Sequence, residues 1–176
     1  GGVDPQNYTL NLSRLVSETF PEAEIEIIIG GGNRNREAIA RNAIYYQNIN
    51  IRENVSNLPD LLYEADMVIC AGGNTLHEAA CIGTPAIVLP SMPHEERTVK
   101  CFEEGGFCFV VDVHTKWEEE IPVLFSKILS PEIRRKMSKS GKKICDGLGR
   151  KRIIDIIQKT GGADANENFI NGMVDL

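Results

Sequence analysis

Positive charge, paired cysteines and long apolar runs are all scarce in this 176-residue sequence, and each shortage removes a class of function. Lys and Arg number 19 against 25 Asp and Glu, for a net charge of −6. Nucleic-acid binding rests on a basic surface that neutralises phosphates, so no nucleic-acid partner is expected. No apolar stretch approaches the roughly 20 residues that a membrane-spanning helix requires, so no membrane span is expected either. The five cysteines, Cys70, Cys81, Cys101, Cys108 and Cys145, are odd in number and include no C-x-x-C pair. That spacing speaks against a disulfide framework, a metal site or a catalytic cysteine. Four of them lie in apolar strand or helix contexts, the setting of reduced, buried thiols in a cytoplasmic protein. Catalytic motifs are missing too. G-x-S-x-G and H-E-x-x-H do not occur, and no carboxylates are paired for acid/base work. The glycine-rich turn at residues 30–35, GGGNRN, is neither a P-loop nor a G-x-G-x-x-G fingerprint followed by a ribose-binding acid. A dinucleotide cofactor is disfavoured, and no cofactor is expected.

What is present is ordinary globular material, 42% apolar and 25% charged, enough for one domain with a core. Short apolar runs read as strands at residues 25–29 (IEIII), 49–51 (INI), 67–71 (MVICA), 86–89 (AIVL) and 107–111 (FCFVV). Helical spacing or capping patterns predict helices over 5–20, 34–45, 58–65, 76–82, 94–104, 117–129, 132–144 and 151–160. Strict alternation of strand and helix implies an α/β fold, a Rossmann-like doubly wound parallel sheet with right-handed crossovers, in a single domain. Residues 1–160 form that domain. Residues 161–176, rich in Gly, Asp and Asn, read as a flexible tail with a small apolar cluster at Phe169, Ile170, Met173 and Val174 that could dock on a partner. The opening GGVDP has the character of a turn that follows a strand, which would place that strand before residue 1.

The stretch from Asp66 to Pro90 organises the rest. MVICA ends in Gly72-Gly73, Asn74 and Thr75 can cap the next helix, and Gly83-Thr84-Pro85 stops it before AIVL. This is a βαβ unit with its glycine turn at the carboxyl end of the first strand. Ligands of open α/β sheets sit at such ends, and free helix-start N–H groups favour a phosphate there. A tight turn that needs glycine and binds nothing is the plainer explanation. Glu78 is two-faced in the same way. Thr75-x-x-Glu78 has capping-box spacing, yet the carboxylate could equally accept hydrogen bonds from ribose hydroxyls. In the loop PSMPHEER at residues 90–97, Glu95 and Glu96 could hold sugar hydroxyls or merely suit a helix's first turn. His94 is the histidine best placed for chemistry, and His77 and His114 read as structural.

Taken in order, GG-x-D, the run ADMVICAGGNTLHEAACIGTP (residues 65–85), the acidic loop, and EEGG before FCFVV resemble a known family. The pattern is similar to the carboxy-terminal, nucleotide-sugar-binding domain of GT-B glycosyltransferases of the family 28 type. The nearest likeness is to SpsG-type spore-coat polysaccharide proteins and the PseG-type UDP-sugar hydrolase. The resemblance runs from Gly1 to about Thr160 and implies specific roles. Gly72, Gly73, Asn74 and Thr75 would bind the diphosphate of a UDP-sugar, and Glu78 the ribose hydroxyls. The turn containing Asn54, Val55 and Leu58 would contact the uracil through its backbone, and Glu95 and Glu96 would lie near the donor sugar. The family often has Glu-Gln where this chain has Glu95-Glu96. The resemblance also implies a partner, an N-terminal GT-B domain supplied in cis or in trans, which would carry the catalytic residue. The alternative function is a non-catalytic nucleotide-binding or recruiting module. The sequence leaves open the sugar, the acceptor, the oligomeric state, and the choice between transfer and hydrolysis.

Overall fold

The computed structural model describes residues 3–160, so the expected turn at Gly1-Gly2 and the tail at 161–176 with its apolar cluster lie outside the described residues. Strands and helices alternate as the sequence predicts. The first helix α1 (Tyr8–Thr19) leads to β1 (Ile25–Ile29), α2 (Arg36–Ala43), β2 (Ile49–Glu53) and α3 (Leu58–Glu64). Then follow β3 (Val68–Cys70), α4 (Asn74–Ile82), β4 (Ala86–Val88), a 3-10 turn (Pro93–Glu95), α5 (Glu96–Glu104) and β5 (Cys108–Val110). Three helices close the described chain: α6 (Trp117–Ile128), α7 (Pro131–Ile144) and α8 (Gly149–Thr160). All strand pairs are parallel, as the expected Rossmann-like α/β fold requires. None of the helices among the described residues is long and apolar enough to cross a membrane.

The ladder departs from one continuous sheet. β1 pairs with β2, while β3, β4 and β5 form a separate three-stranded sheet in that order. β4 is the central strand, and its residues show why the fold is a three-layer sandwich. Ile87 faces the cluster built by Val16 of α1 and by Ile121, Leu124, Phe125 and Ile128 of α6. Ala86 and Val88 face the other way, onto Leu62, Leu76, Ala79, Val99 and Phe102 of α3, α4 and α5. Alternate residues of a strand point to opposite faces, so a short apolar run with both faces covered carries no polar position. Ala86, Ile87 and Val88 are all fully buried. Met67, Val68, Ile69 and Cys70 read the same way in sequence but are only half-buried, because β3 has one sheet neighbour where β4 has two.

Local starts differ from the sequence expectation in instructive ways. The sequence predicts a helix from Pro5. Asp4 does accept bonds from the first amides of α1, Tyr8 N–H at 2.8 Å and Thr9 N–H at 3.0 Å. The intervening residues form a turn closed by Asn7 N–H to Asp4 C=O at 3.1 Å, with Asp4 and Asn7 both at positive φ, so the helix begins three residues late. At the other end of the domain, α7 packs along α4 through a glycine contact. A Cβ on Gly141 would lie 2.5 Å from the Phe107 ring and 2.8 Å from the Ala80 carbonyl oxygen. A backbone carbonyl cannot step aside, so this glycine sets how closely α7 seats the helix that carries the glycine turn. Gly141→Ala is therefore expected to destabilise the domain by about 1–3 kcal/mol, the usual cost of overpacking, as read by urea unfolding.

The cysteines are free thiols, buried at Cys108, half-buried at Cys70, Cys81 and Cys145, and exposed at Cys101. Burial pushes the Cys70 and Cys108 thiols up to about 12. Raised values keep the protonated form through neutral pH, and the thiolate is the reactive species. In the native protein at pH 8, a thiol reagent is expected to modify Cys101 rapidly and to reach Cys70 and Cys108 only after denaturation. Mass mapping of the labelled peptides reads the result directly.

Candidate functional site

The parallel strands bring four turns to one edge of the domain, the carboxyl ends of β1, β2, β3 and β4. The turn after β3 is the best defined. Gly73 is the residue before α4 and takes an ordinary extended backbone, φ −87° and ψ −154°, and no side chain caps the helix. The sequence expectation that Asn74 and Thr75 cap a helix from Leu76 is thereby corrected. Asn74 is the first helical residue, so the first-turn amides of α4 point out of the helix without a side-chain acceptor. Leu76 N–H bonds the Gly73 carbonyl at 3.1 Å, and His77 Nδ1 lies 3.2 Å from the same oxygen.

The two glycines have different reasons to be there. A Cβ on Gly72 would fall 2.4 Å from Val99 Cγ2 and 2.8 Å from Glu95 Cβ. The fold itself therefore demands glycine at 72, since the turn lies directly beneath the start of α5. A Cβ on Gly73 would meet only Glu95 Oε1, at an ordinary 3.6 Å. Neither its backbone angles nor its packing calls for glycine, and what a Cβ would block there is approach from the exposed side. The plainer explanation, a tight turn that needs glycine for its own sake, accounts for Gly72 and leaves Gly73 unexplained.

Glu78 is half-buried, on the fourth turn position after Asn74. Because the helix starts at Asn74, Thr75 is inside it, and the expected capping box of Thr75 and Glu78 does not form. Among the described residues no hydrogen bond or ion pair occupies its carboxylate. Glu95 is placed otherwise. It is 7% exposed, and its Oε2 accepts from Ser91 N–H at 2.8 Å, Ser91 Oγ–H at 3.2 Å and Met92 N–H at 3.2 Å. That oxygen ties down the loop after β4, while Oε1 is turned toward Gly73. Glu96 is exposed at the first turn of α5, and His94 is exposed beside it.

Asn54 follows β2 in the left-handed region, φ 50°. Its N–H bonds the Ile29 carbonyl at 3.1 Å, and its Oδ1 lies 3.2 Å from where a Gly31 Cβ would stand. The turns after β1 and β2 are thus stitched together. Val55 is half-buried, and Leu58 opens α3 against the cluster that also holds Leu76 and Cys70. The structure accordingly joins Glu95 to Gly72 and Gly73, and Asn54 to Gly31, as two groups on the same edge. It adds a residue that the sequence reading passed over. Arg36 donates to the Gly31 carbonyl at 3.2 Å and lies 3.8 Å from Glu53, which puts a guanidinium on this edge. The signal was available: an Arg four residues past the glycines that end β1. Ser91 was passed over as well, since only the folded loop shows its amide and hydroxyl gathered on Glu95.

Comparisons with known proteins bear on the family and the fold. Residues 7–159 match the family described as the glycosyltransferase family 28 C-terminal domain. The spore coat polysaccharide biosynthesis protein SpsG of Bacillus subtilis is 26% identical over 162 residues, covering 90% of this chain and 48% of that protein. A UDP-N-acetylglucosamine–N-acetylmuramyl-(pentapeptide) pyrophosphoryl-undecaprenol N-acetylglucosamine transferase of Caldicellulosiruptor saccharolyticus is 30% identical over 153 residues, covering 82% of this chain and 41% of that enzyme. The chain thus spans about half the length of the curated relatives it matches. Among solved structures, MurG of Acinetobacter baumannii superposes with a TM-score of 0.71 at 21% identity, over 91% of this chain and 48% of that one. WaaG, a glycosyltransferase of lipopolysaccharide biosynthesis, superposes with a TM-score of 0.56 at 13% identity, over 92% of this chain and 55% of that one. These two show the fold. The family match covers most of the chain, and the chain belongs to the glycosyltransferase family 28 C-terminal domain family.

Proposed function

We propose that this domain binds the nucleoside-diphosphate end of a UDP-sugar and forms the donor half of a glycosyltransferase, or of a related UDP-sugar hydrolase, in surface glycan synthesis. The observation that carries the reading is Gly73. It is a glycine that the fold does not need, set at the uncapped start of a nine-residue helix. Amides at a helix start favour an anion, and the helix dipole adds about 0.3–1 kcal/mol for a charge nearby. A diphosphate approaching Gly73 closely would accept hydrogen bonds from the first amides of α4. Glu78, whose carboxylate is not engaged in a cap, would accept from the two ribose hydroxyls. The backbone of the turn at 54–58 would meet the uracil. Glu95 Oε1 would take a hydroxyl hydrogen of the sugar, its other oxygen being held by the loop, and Glu96 would lie further out.

In the reaction, the same amides would stabilise the charge that develops on the departing diphosphate as a hydroxyl or water attacks the anomeric carbon. Fixed donors aimed at developing charge do this without reorganising. The group that activates the nucleophile would come from an N-terminal GT-B domain in cis or in trans, facing this edge. Work in the cytoplasm, where UDP-sugars are made, follows from the same reading. The non-catalytic alternative, a nucleotide-binding or recruiting module, predicts the same binding and no turnover when that domain is added.

Calorimetric titration with UDP, UDP-N-acetylglucosamine and NAD tests the reading. Saturable binding of the uridine nucleotides and none of NAD is expected. Gly73→Ala is expected to leave thermal stability within about 1 °C, because its Cβ meets nothing closer than 3.6 Å, and to weaken UDP binding by about tenfold or more. Glu78→Ala is expected to weaken UDP binding by about tenfold, the loss of two hydrogen bonds to a charged group, again without a stability cost. A fall in stability with unchanged binding in either variant would return both residues to purely structural roles.

A further inference from the structure

We propose that, on the donor-binding reading above, His77 is a positioning residue for the diphosphate: its Nδ1–H holds the Gly73 carbonyl, and the peptide so fixed aims the Asn74 N–H out of the start of α4. His77 Nδ1 lies 3.2 Å from the Gly73 carbonyl oxygen. A carbonyl only accepts, so the ring nitrogen facing it carries the hydrogen, and Nε2 keeps the lone pair of the neutral ring. The contact therefore selects the tautomer. The ring is also held from α5. It stands edge-on to Phe102, at 89° with centroids 5.1 Å apart, and Phe102 is buried. Aromatic rings prefer that perpendicular arrangement, so His77 has a set orientation although it is exposed.

Gly73 needs such a hold. With no Cβ, glycine has the least restricted backbone of any residue, and no side chain caps α4. Leu76 N–H reaches the same carbonyl at 3.1 Å, and Leu76 is fully buried. Two donors from the first turn thus draw the Gly73 oxygen along the helix. The peptide that follows Gly73 is trans, and in a planar trans peptide the N–H points opposite to the C=O. Fixing the Gly73 carbonyl therefore fixes the Asn74 N–H, directed out of the helix start, where amides meet an anion. The spacing has its own reason. A helical side chain covers the turn before its own Cα, so the residue four past Gly73 reaches back over it. A second feature points to the same place from the α5 side. Glu95 is only 7% exposed, and among the described residues its Oε1, turned toward Gly73, accepts no hydrogen bond. A buried acceptor left without a donor marks ground that a ligand bearing hydroxyls would cover. Without the His77 bond the peptide at 73–74 would have to be reordered on binding, which lowers affinity.

Two substitutions separate the hydrogen bond from the packing. His77→Phe keeps a ring against Phe102 and cannot donate. His77→Asn loses the ring and keeps a side-chain N–H at the place of Nδ1. UDP and uridine are titrated against the 176-residue chain and both variants, following amide NMR signals, with thermal unfolding of each protein. His77→Phe is expected to weaken UDP binding about fivefold or more and to leave uridine within about twofold, at an unchanged unfolding temperature. His77→Asn is expected to bind UDP within about twofold of the parent chain although it unfolds at lower temperature. Before any ligand is added, nitrogen NMR of the imidazole at alkaline pH is expected to show the Nδ1–H tautomer. The positioning role is overturned by the Nε2–H tautomer, by UDP affinity that follows the ring instead of the donor, or by equal losses for UDP and uridine. A parent chain that binds no UDP removes the donor reading and this role together. UDP binding that His77→Phe leaves intact removes this role alone.

Discussion

Contact between the Gly72 backbone and the start of α5 fixes the geometry on which the candidate site depends. The position of a Cβ at residue 72 is already occupied by Val99 and Glu95, so the turn after β3 and the loop after β4 are pressed together without a side chain between them. Each is anchored from behind. β4 is fully buried between two helical layers, and α4 is seated by α7 through Gly141. The start of α4 therefore cannot drift relative to the loop that carries Glu95. A rigid pair of turns is what positions amides for an anion, because donors that must rearrange to bind lose much of their advantage.

Electrostatics on this edge are mixed. Glu95 brings a carboxylate close to the helix start, but one of its oxygens is satisfied by two amides and a hydroxyl of its own loop. Much of its charge is spent inward. The remaining oxygen faces Gly73 from the α5 side, which is the side from which a sugar would be approached if the diphosphate lay on α4. Arg36 stands on the neighbouring sheet, tethered to Gly31 and near Glu53. An anion on α4 would thus have amides beneath it, and on the α5 side a carboxylate with one oxygen already held by its own loop.

Much of the fold was legible in the sequence because its signals are local and agree with one another. Strands were read from runs such as IEIII and AIVL, and the first helix from the spacing of Leu12, Leu15 and Val16. The turn chemistry of Gly83, in the left-handed region at φ 92°, was legible from Gly-Thr-Pro. Helix starts were less so. Asp4 satisfies amides of α1 from outside the helix, and Gly73 displaces Asn74 and Thr75 as the residue before α4; both depend on backbone angles that residue type does not set. The site was legible as a set of turns and not as contacts. That Gly72 is dictated by Val99, or that Ser91 closes on Glu95, involves residues 27 and four positions apart whose approach only the assembled sheet determines.

The break in the sheet and the place of the site are connected. All the turns discussed lie at the carboxyl ends of strands, and in doubly wound sheets the crevice for ligands opens where neighbouring connections leave in opposite directions. Here α1 leads into β1 and α4 leads from β3 to β4, and the two connections belong to separate parallel sheets. On the proposed donor reading, the diphosphate would use the amides of α4 and the base the stitched turns of β1 and β2, so recognition would draw on both parallel sheets.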